Sequence, residues 1–399
     1  MSDQVCVSAR NLLFGAVFLF FFGILGGCDP KSPPDEPLSL PYRGESFALL
    51  TTANNGGPLK NLFVLDHSSG DITPFLQENS RVFSGQKPQS LGFHPGVLKV
   101  WPRDPAILLF AAEGDNAIKA LNLSQPLSTL SSLAEEAPRY LSIFEWPGWG
   151  MSLAVSPYKN GVVTLLKNYD PQKGNSEARI PVRLAESPYT IRAAERISVG
   201  DIDGDSVPEL LMALPVTAEV MVIRNPQEAG KHPEMATVLY QDSGLGMPSE
   251  VHPFDLDEDG DLDLVVPDEG RSGKIHFLQN DGTGHFQDVR ALDFPGGEGA
   301  MELQIARDRD GRVYFLGVSF GQVVLFQKPE GDPFKEAWAN RTLPWRPNSS
   351  QDIRLEDLDG DGWLDGVIAK YSGDHNLWVV FGPLWDRFAA LSDRHYEIP

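Results

Sequence analysis

Cysteine is nearly absent from this chain of 399 residues: there are two, Cys6 and Cys28, both close to the N-terminus. No disulfide framework can brace the rest of the chain, and no thiol is left there to act as a nucleophile, so packing or metal must hold the fold. Positive charge is scarce too. Lys and Arg number 33 against 55 Asp and Glu, a formal charge of −22. A surface this acidic repels phosphate backbones, which excludes a nucleic-acid partner. The eight His show no HxH or HExxH spacing for zinc. No GxSxG elbow occurs, and no Walker loop or GxGxxG follows a strand-like run. No apolar run is long enough to span a bilayer. The longest, residues 12–27, would reach roughly 24 Å as a helix against the ~30 Å hydrocarbon core.

What the chain has in quantity is turn formers and core formers. Gly at 38 and Pro at 32 imply many turns, hence many short strands. With 41% apolar residues and 10% aromatics the chain can bury a sizeable core, so wholesale disorder is excluded. The acid excess poses a sharper question, since scattered carboxylates solvate a surface whereas clustered ones bind cations.

Residues 1–27 read as an export segment, with Arg10 ahead of the apolar run LLFGAVFLFFFGILGG. The sequence Leu25-Gly26-Gly27-Cys28 resembles the lipobox of bacterial lipoproteins, which implies lipidation of Cys28. An ordinary signal peptide or an uncleaved anchor with a chance Cys is the alternative. Asp29 matches the residue that, in enterobacterial lipoproteins, signals retention in the inner membrane. The resemblance thus implies a bacterial cell-envelope protein on the periplasmic face of that membrane. The proline-rich stretch DPKSPPDEPLSLP, 29–41, reads as a semi-rigid tether, and residues 28–44 are assigned as lipidated Cys and linker.

The strings DIDGDSVPE (201–209), DLDEDGDLD (255–263) and DLDGDGWLD (357–365) line up with one another. A degraded copy, DRDGR, stands at 308–312. Their starts lie about fifty residues apart, and a β-favouring apolar run follows each, so the period is structural. Extending it backwards gives units starting near residues 47, 100, 149, 198, 251, 304 and 353. About fifty residues hold four short strands, the size of a propeller blade, so residues 45–399 are predicted to form an all-β, seven-bladed β-propeller. A non-propeller stack or two β-sandwiches is the competing reading. The short last unit is predicted to borrow a strand from residues 38–44 to close the ring.

The acidic loops, with QNDGTGHF at 279–286, resemble the FG-GAP and VCBS repeats of integrin alpha-subunit propellers and their bacterial relatives. In the resembled loops, side chains at positions 1, 3, 5 and 9 and the carbonyl at position 7 hold Ca2+. Carried over, this implies up to three structural Ca2+ ions. One set is Asp255, Asp257, Asp259, the carbonyl of Asp261 and Asp263. A second is Asp357, Asp359, Asp361, the carbonyl of Trp363 and Asp365. The third is Asp201, Asp203, Asp205, the carbonyl of Val207 and Glu209. This last set departs from the pattern, with Glu at position nine and Ser206 where a Gly is expected. In the degraded copy Arg312 replaces a carboxylate, and that loop is predicted to bind no metal. An EF-hand is excluded, because position twelve is Val266 or Ile368 and the flanks read as strands. Solvated acidic turns without an ion are the remaining alternative, although carboxylates this crowded repel one another unless neutralised.

The most aromatic stretch, YLSIFEWPGW at 140–149, offers Trp146 and Trp149 either as ligand contacts on a rim or as packing between blades. The functional expectation is a lipid-anchored, calcium-stabilised scaffold for extracytoplasmic proteins, without enzymatic activity. A lectin-like, glycan-binding propeller is the alternative, and a polysaccharide-active enzyme the third.

Overall fold

The second strand of each predicted unit is apolar without alternation, as in Leu210-Leu211-Met212-Ala213, and such a strand must be covered on both faces. The computed structural model shows what covers it. It describes residues 36–43, 46–53, 57–123, 127–157, 161–184, 195–224, 236–241, 244–270, 273–297, 299–319, 321–344, 350–370 and 376–393. The export segment, Cys28 and Asp29 lie outside the described residues.

The described strands form seven antiparallel sheets, the blades of a seven-bladed β-propeller. The first strands of blades 1 to 7 are Ser46–Ala53, Pro95–Val100, Pro138–Trp146, Glu195–Gly200, His252–Phe254, Glu302–Arg307 and Ser350–Glu356. These strands lie beside one another in a ring around a central channel. Leu38–Leu40 pairs antiparallel with Leu377–Val380 as the fourth strand of blade 7, so the chain closes its ring with residues from both ends, as the sequence predicts.

Seven apolar clusters fill the seams between neighbouring blades. Leu210, Met212 and Leu214 face blade 3, while Leu211 and Ala213 face blade 5. Period-two alternation therefore sends side chains into two seams instead of into core and solvent, and the run reads as continuously apolar.

Two features differ from the sequence reading. Blade 3 begins at Pro138, not near residue 149, because the aromatic stretch is itself an inner strand. It pairs with Gly150–Pro157 along its length. The chain also ends its described part in a helix, α1 (Leu384–Asp393), which places Leu384, Phe388 and Leu391 into the seam between blades 6 and 7. No helix among the described residues is long and apolar enough to cross a membrane.

Candidate metal centres

Because the strands of each blade alternate in direction, every loop from a first to a second strand emerges on the same face of the ring. The three acidic loops are such loops, in blades 4, 5 and 7. Each is shaped by its own carboxylates. At position one, Asp201 accepts from the N–H groups of Gly204 and Ser206, both at 2.9 Å, and Asp357 accepts from those of Gly360 at 2.8 Å and Gly362 at 2.9 Å. Asp255 accepts from Gly260 N at 3.3 Å. At position five, Asp205, Asp259 and Asp361 accept from Val207 N, Asp261 N and Trp363 N at 2.7, 3.1 and 2.8 Å. The backbone turns left-handed twice per loop, at Gly204 and Ser206, Glu258 and Gly260, and Gly360 and Gly362. Ser206, with φ 67°, holds a conformation that glycine adopts more easily.

In blades 5 and 7 the carboxylates at positions 1, 3 and 5, namely Asp255, Asp257 and Asp259, and Asp357, Asp359 and Asp361, bring oxygens within 4.8 Å of one another. In blade 4 the converging set is Asp201, Asp203 and Glu209, without Asp205. Position nine differs for a reason of length. Asp263 is buried and accepts from Leu256 N at 3.1 Å and Asn280 N at 2.9 Å. Asp365 likewise accepts from Leu358 N at 2.8 Å and Gly382 N at 2.7 Å. These aspartates staple the loop to the end of the third strand and stand outside the converging sets. Glu209, one methylene longer, accepts from Ile202 N at 2.9 Å and still reaches its set.

The residues fit a hard, oxygen-seeking cation. Asp203 Oδ1, Asp255 Oδ1, Asp257 Oδ1 and Asp261 Oδ1 are buried with no hydrogen-bond partner. An all-oxygen donor set of carboxylates suits Ca2+. The electrostatics agree. Burial, then Asp259 and Asp257, pushes Asp261 up to about 6. Burial raises Asp263 to about 7, Asp365 to about 8 and Glu209 to about 7, against the lowering effect of the backbone N–H groups each accepts from.

The blade 7 loop differs from the other two. Arg81, from blade 1, places Nε 2.6 Å from Asp359 and a terminal nitrogen 3.1 Å from Asp361. A guanidinium already neutralises part of this set. In blade 6 Asp308 accepts from the N–H groups of Asp310 and Arg312, both at 2.9 Å. The Arg312 side chain bonds to Tyr314, and it is Arg309 that crosses to blade 7, 4.0 Å over the Trp363 ring. Val207 packs against the seam between blades 3 and 4.

Trp146 and Trp149 are not presented to a ligand. They are 1% and 6% exposed, they pack against each other in the seam between blades 3 and 4, and Trp146 Nε1 donates to Pro208 O at 2.5 Å. Trp146 ends the inner strand and Trp149 closes the turn that follows it, and both rings fold into the seam.

The sequence reading missed a second cluster. The central channel encloses a cavity of about 390 Å3 whose wall carries Lys99, Arg196, Glu250, His252, Glu302, Asp352 and Arg354. The signal was available as charge at matching positions of successive inner strands.

A family profile described as an FG-GAP-like repeat matches residues 251–306, the span that holds the blade 5 acidic loop and the turn at 279–286. No curated protein matches the chain in sequence. Among solved structures, BBS1N, crystallised in complex with ARL6DN, aligns over 87% of this chain and 97% of its own at 12% identity, with a TM-score of 0.57. A streptogramin B lyase aligns over 86% and 95% at 13% identity, with a TM-score of 0.55. A protein from Lactobacillus plantarum aligns over 81% and 88% at 14% identity, with a TM-score of 0.52. At these identities the likeness is one of fold. The chain is a seven-bladed β-propeller that carries an FG-GAP-like repeat centred on its fifth blade.

Proposed function

We propose that the protein is a lipid-anchored, calcium-stabilised propeller in the bacterial cell envelope that serves as a non-enzymatic scaffold for other extracytoplasmic proteins. The observation that carries this reading is a division of labour between the two faces of the ring. One face holds the three acidic loops, cross-linked from blade to blade. Asn280 of blade 5 donates to Ile202 O of blade 4 at 2.8 Å, Arg309 of blade 6 donates to Asp361 O of blade 7 at 2.9 Å, and Arg81 closes blade 1 onto blade 7. Calcium in these loops would fix the inner strands in register.

The opposite face carries the turns between second and third strands and the blade-to-blade connections. Phe93, Val216 and Met247 lie on these connections and are 63%, 59% and 47% exposed. These are the three most exposed of the five large apolar side chains left in water among the described residues, and such side chains suit a protein partner. Cys28 and the proline-rich segment supply the anchor and tether in this reading.

Crosslinking in native membranes followed by mass spectrometry tests it. The expected result is a partner captured by wild type and lost in a Phe93→Ser, Met247→Ser variant with an unchanged unfolding midpoint. Cys28→Ala should move the protein into the soluble fraction. Capture unaffected by the paired substitutions, or a Cys28→Ala protein that stays with the membrane, contradicts the proposal.

A further inference from the structure

The inner strands place charges of both signs around the channel, and the first question is which of them are already satisfied. Much of the wall ties blades together. Ser142 donates to Ile197 O and Ser198 to Val251 O. Glu302 accepts from Ile353 N at 3.1 Å, Asp352 accepts from Leu49 N, and Arg354 donates to Leu49 O. These bonds link blade 3 to 4, 4 to 5, 6 to 7 and 7 to 1.

Each guanidinium has its own carboxylate. Arg196 lies 2.5 Å from Glu250 and 3.1 Å from Glu302, while Arg354 lies 3.3 Å from Asp352 and 3.5 Å from Glu302. Glu302 is 1% exposed, and burial, reinforced by Asp352 and Glu250, holds its carboxyl well above the usual range. It stands between the two guanidinium groups. Burial also opposes charge on Glu250, but Arg196 and His252 outweigh it and hold that carboxyl low. Arg196 is thereby matched to Glu250, and Arg354 to Asp352.

Lys99 has no such partner. Its side chain lies open to the lumen, and among the described residues it makes no hydrogen bond or ion pair. Enclosure by protein, then Arg354 and Arg196, lowers its amine to about 8, against smaller raising effects of Glu250 and Asp352. Glu269 also borders the cavity. Lys99 is the basic group of this wall that has no ion-pair partner among the described residues, so an anion can meet its ammonium, and the carboxylates Glu250, Glu269, Glu302 and Asp352 on the same wall limit that anion to one charge. Phosphate as a dianion brings too much, because Glu250 and Asp352 stand close by. The wall around the polar groups is partly apolar, with half-buried Val97, Tyr140, Met301 and Ile305. At about 390 Å3 the cavity sits at the small end of the ~300–1,000 Å3 range of ligand pockets.

We propose that the central channel binds a small apolar monocarboxylate, whose carboxylate pairs with Lys99 Nζ while its apolar body lies against Val97, Tyr140, Met301 and Ile305. The site is on the inner strands, away from the acidic loops, and stands whether or not the scaffold reading holds.

Titration calorimetry on the purified full-length protein in mild detergent tests it with two acids, benzoate and hexanoate, and with benzamide and inorganic phosphate as controls. Expected is saturable binding of at least one acid, weakened about tenfold or more by Lys99→Met and largely kept by Lys99→Arg. Benzamide has the shape of benzoate without the charge, and it should not bind. In wild type, benzoate should also slow acylation of Lys99 by an anhydride, read by peptide mass spectrometry, a readout that does not depend on any variant folding. The proposal is overturned if neither acid binds, if benzamide or phosphate binds as well as benzoate, or if Lys99→Met binds as tightly as wild type.

Discussion

At the residue scale, two groups set the character of the acidic loops. Ser206 occupies a left-handed position that Gly260 and Gly362 fill in the sister loops. Ser206→Gly should raise the unfolding midpoint, by about 0.5–1 kcal/mol of stability, because relief of the backbone outweighs the entropy glycine adds to the unfolded chain. A lower midpoint in a thermal melt would refute this. The raised carboxyls make a second prediction. Burial pushes Asp261, Asp263, Glu209 and Asp365 up to about 6, 7, 7 and 8 in the folded chain, against ordinary values of 3.8 for Asp and 4.5 for Glu. Between these limits the folded state binds more protons than the unfolded one. Without metal, the stability they contribute is present at low pH and is lost as pH rises through their folded values. Thermal melts in chelator should therefore show a midpoint that falls from about pH 5 to about pH 8, and calcium should flatten that slope by replacing the protons. Parallel slopes with and without calcium would show that no ion reaches these groups.

At the scale of elements, the sequence made the blades legible wherever local chemistry repeats. The acidic strings mark the ends of first strands, and continuously apolar runs such as Val313–Val318 mark strands covered on both faces. The start of blade 3 is not legible because it lacks that marker, and the aromatic stretch is open between rim contact and packing until its strand pairing is known. The position-nine aspartates illustrate another limit. Spacing shows that a carboxylate is needed there, but not that Asp263 spends both oxygens on backbone N–H groups while Glu209 reaches further. Arg81 left no local signal at all, since its partners Asp359 and Asp361 lie far along the chain, at the ring closure. Arg81→Met should lower the midpoint in chelator. Calcium should restore more of that loss than it adds to wild type, because the ion takes the place of the guanidinium between Asp359 and Asp361. An equal loss with and without calcium would mean that Arg81 acts by packing on Phe381, which lies 5.2 Å away.

At the scale of the molecule, the acid excess that opened the question resolves into two uses. Part of it solvates the surface. The rest is gathered on one face in three loops, in two of which, those of blades 4 and 5, buried oxygens stand without partners, in a propeller whose sequence holds no cysteine. The channel charges were open to a period-two reading of the inner strands, but their pairing depends on which blades face one another across the ring, as with Arg196 of blade 4 and Glu302 of blade 6. The central claim is that metal in the acidic loops stabilises the closed ring, and thermal unfolding of the full-length protein in calcium and in excess chelator tests it most directly. Each occupied site should add about 2.7 kcal/mol when calcium is at 100 times its dissociation constant. The predicted result is a midpoint raised by calcium in a saturable way, with the rise reduced by the pair Asp255→Asn and Asp257→Asn. A midpoint identical in calcium and chelator would contradict the account.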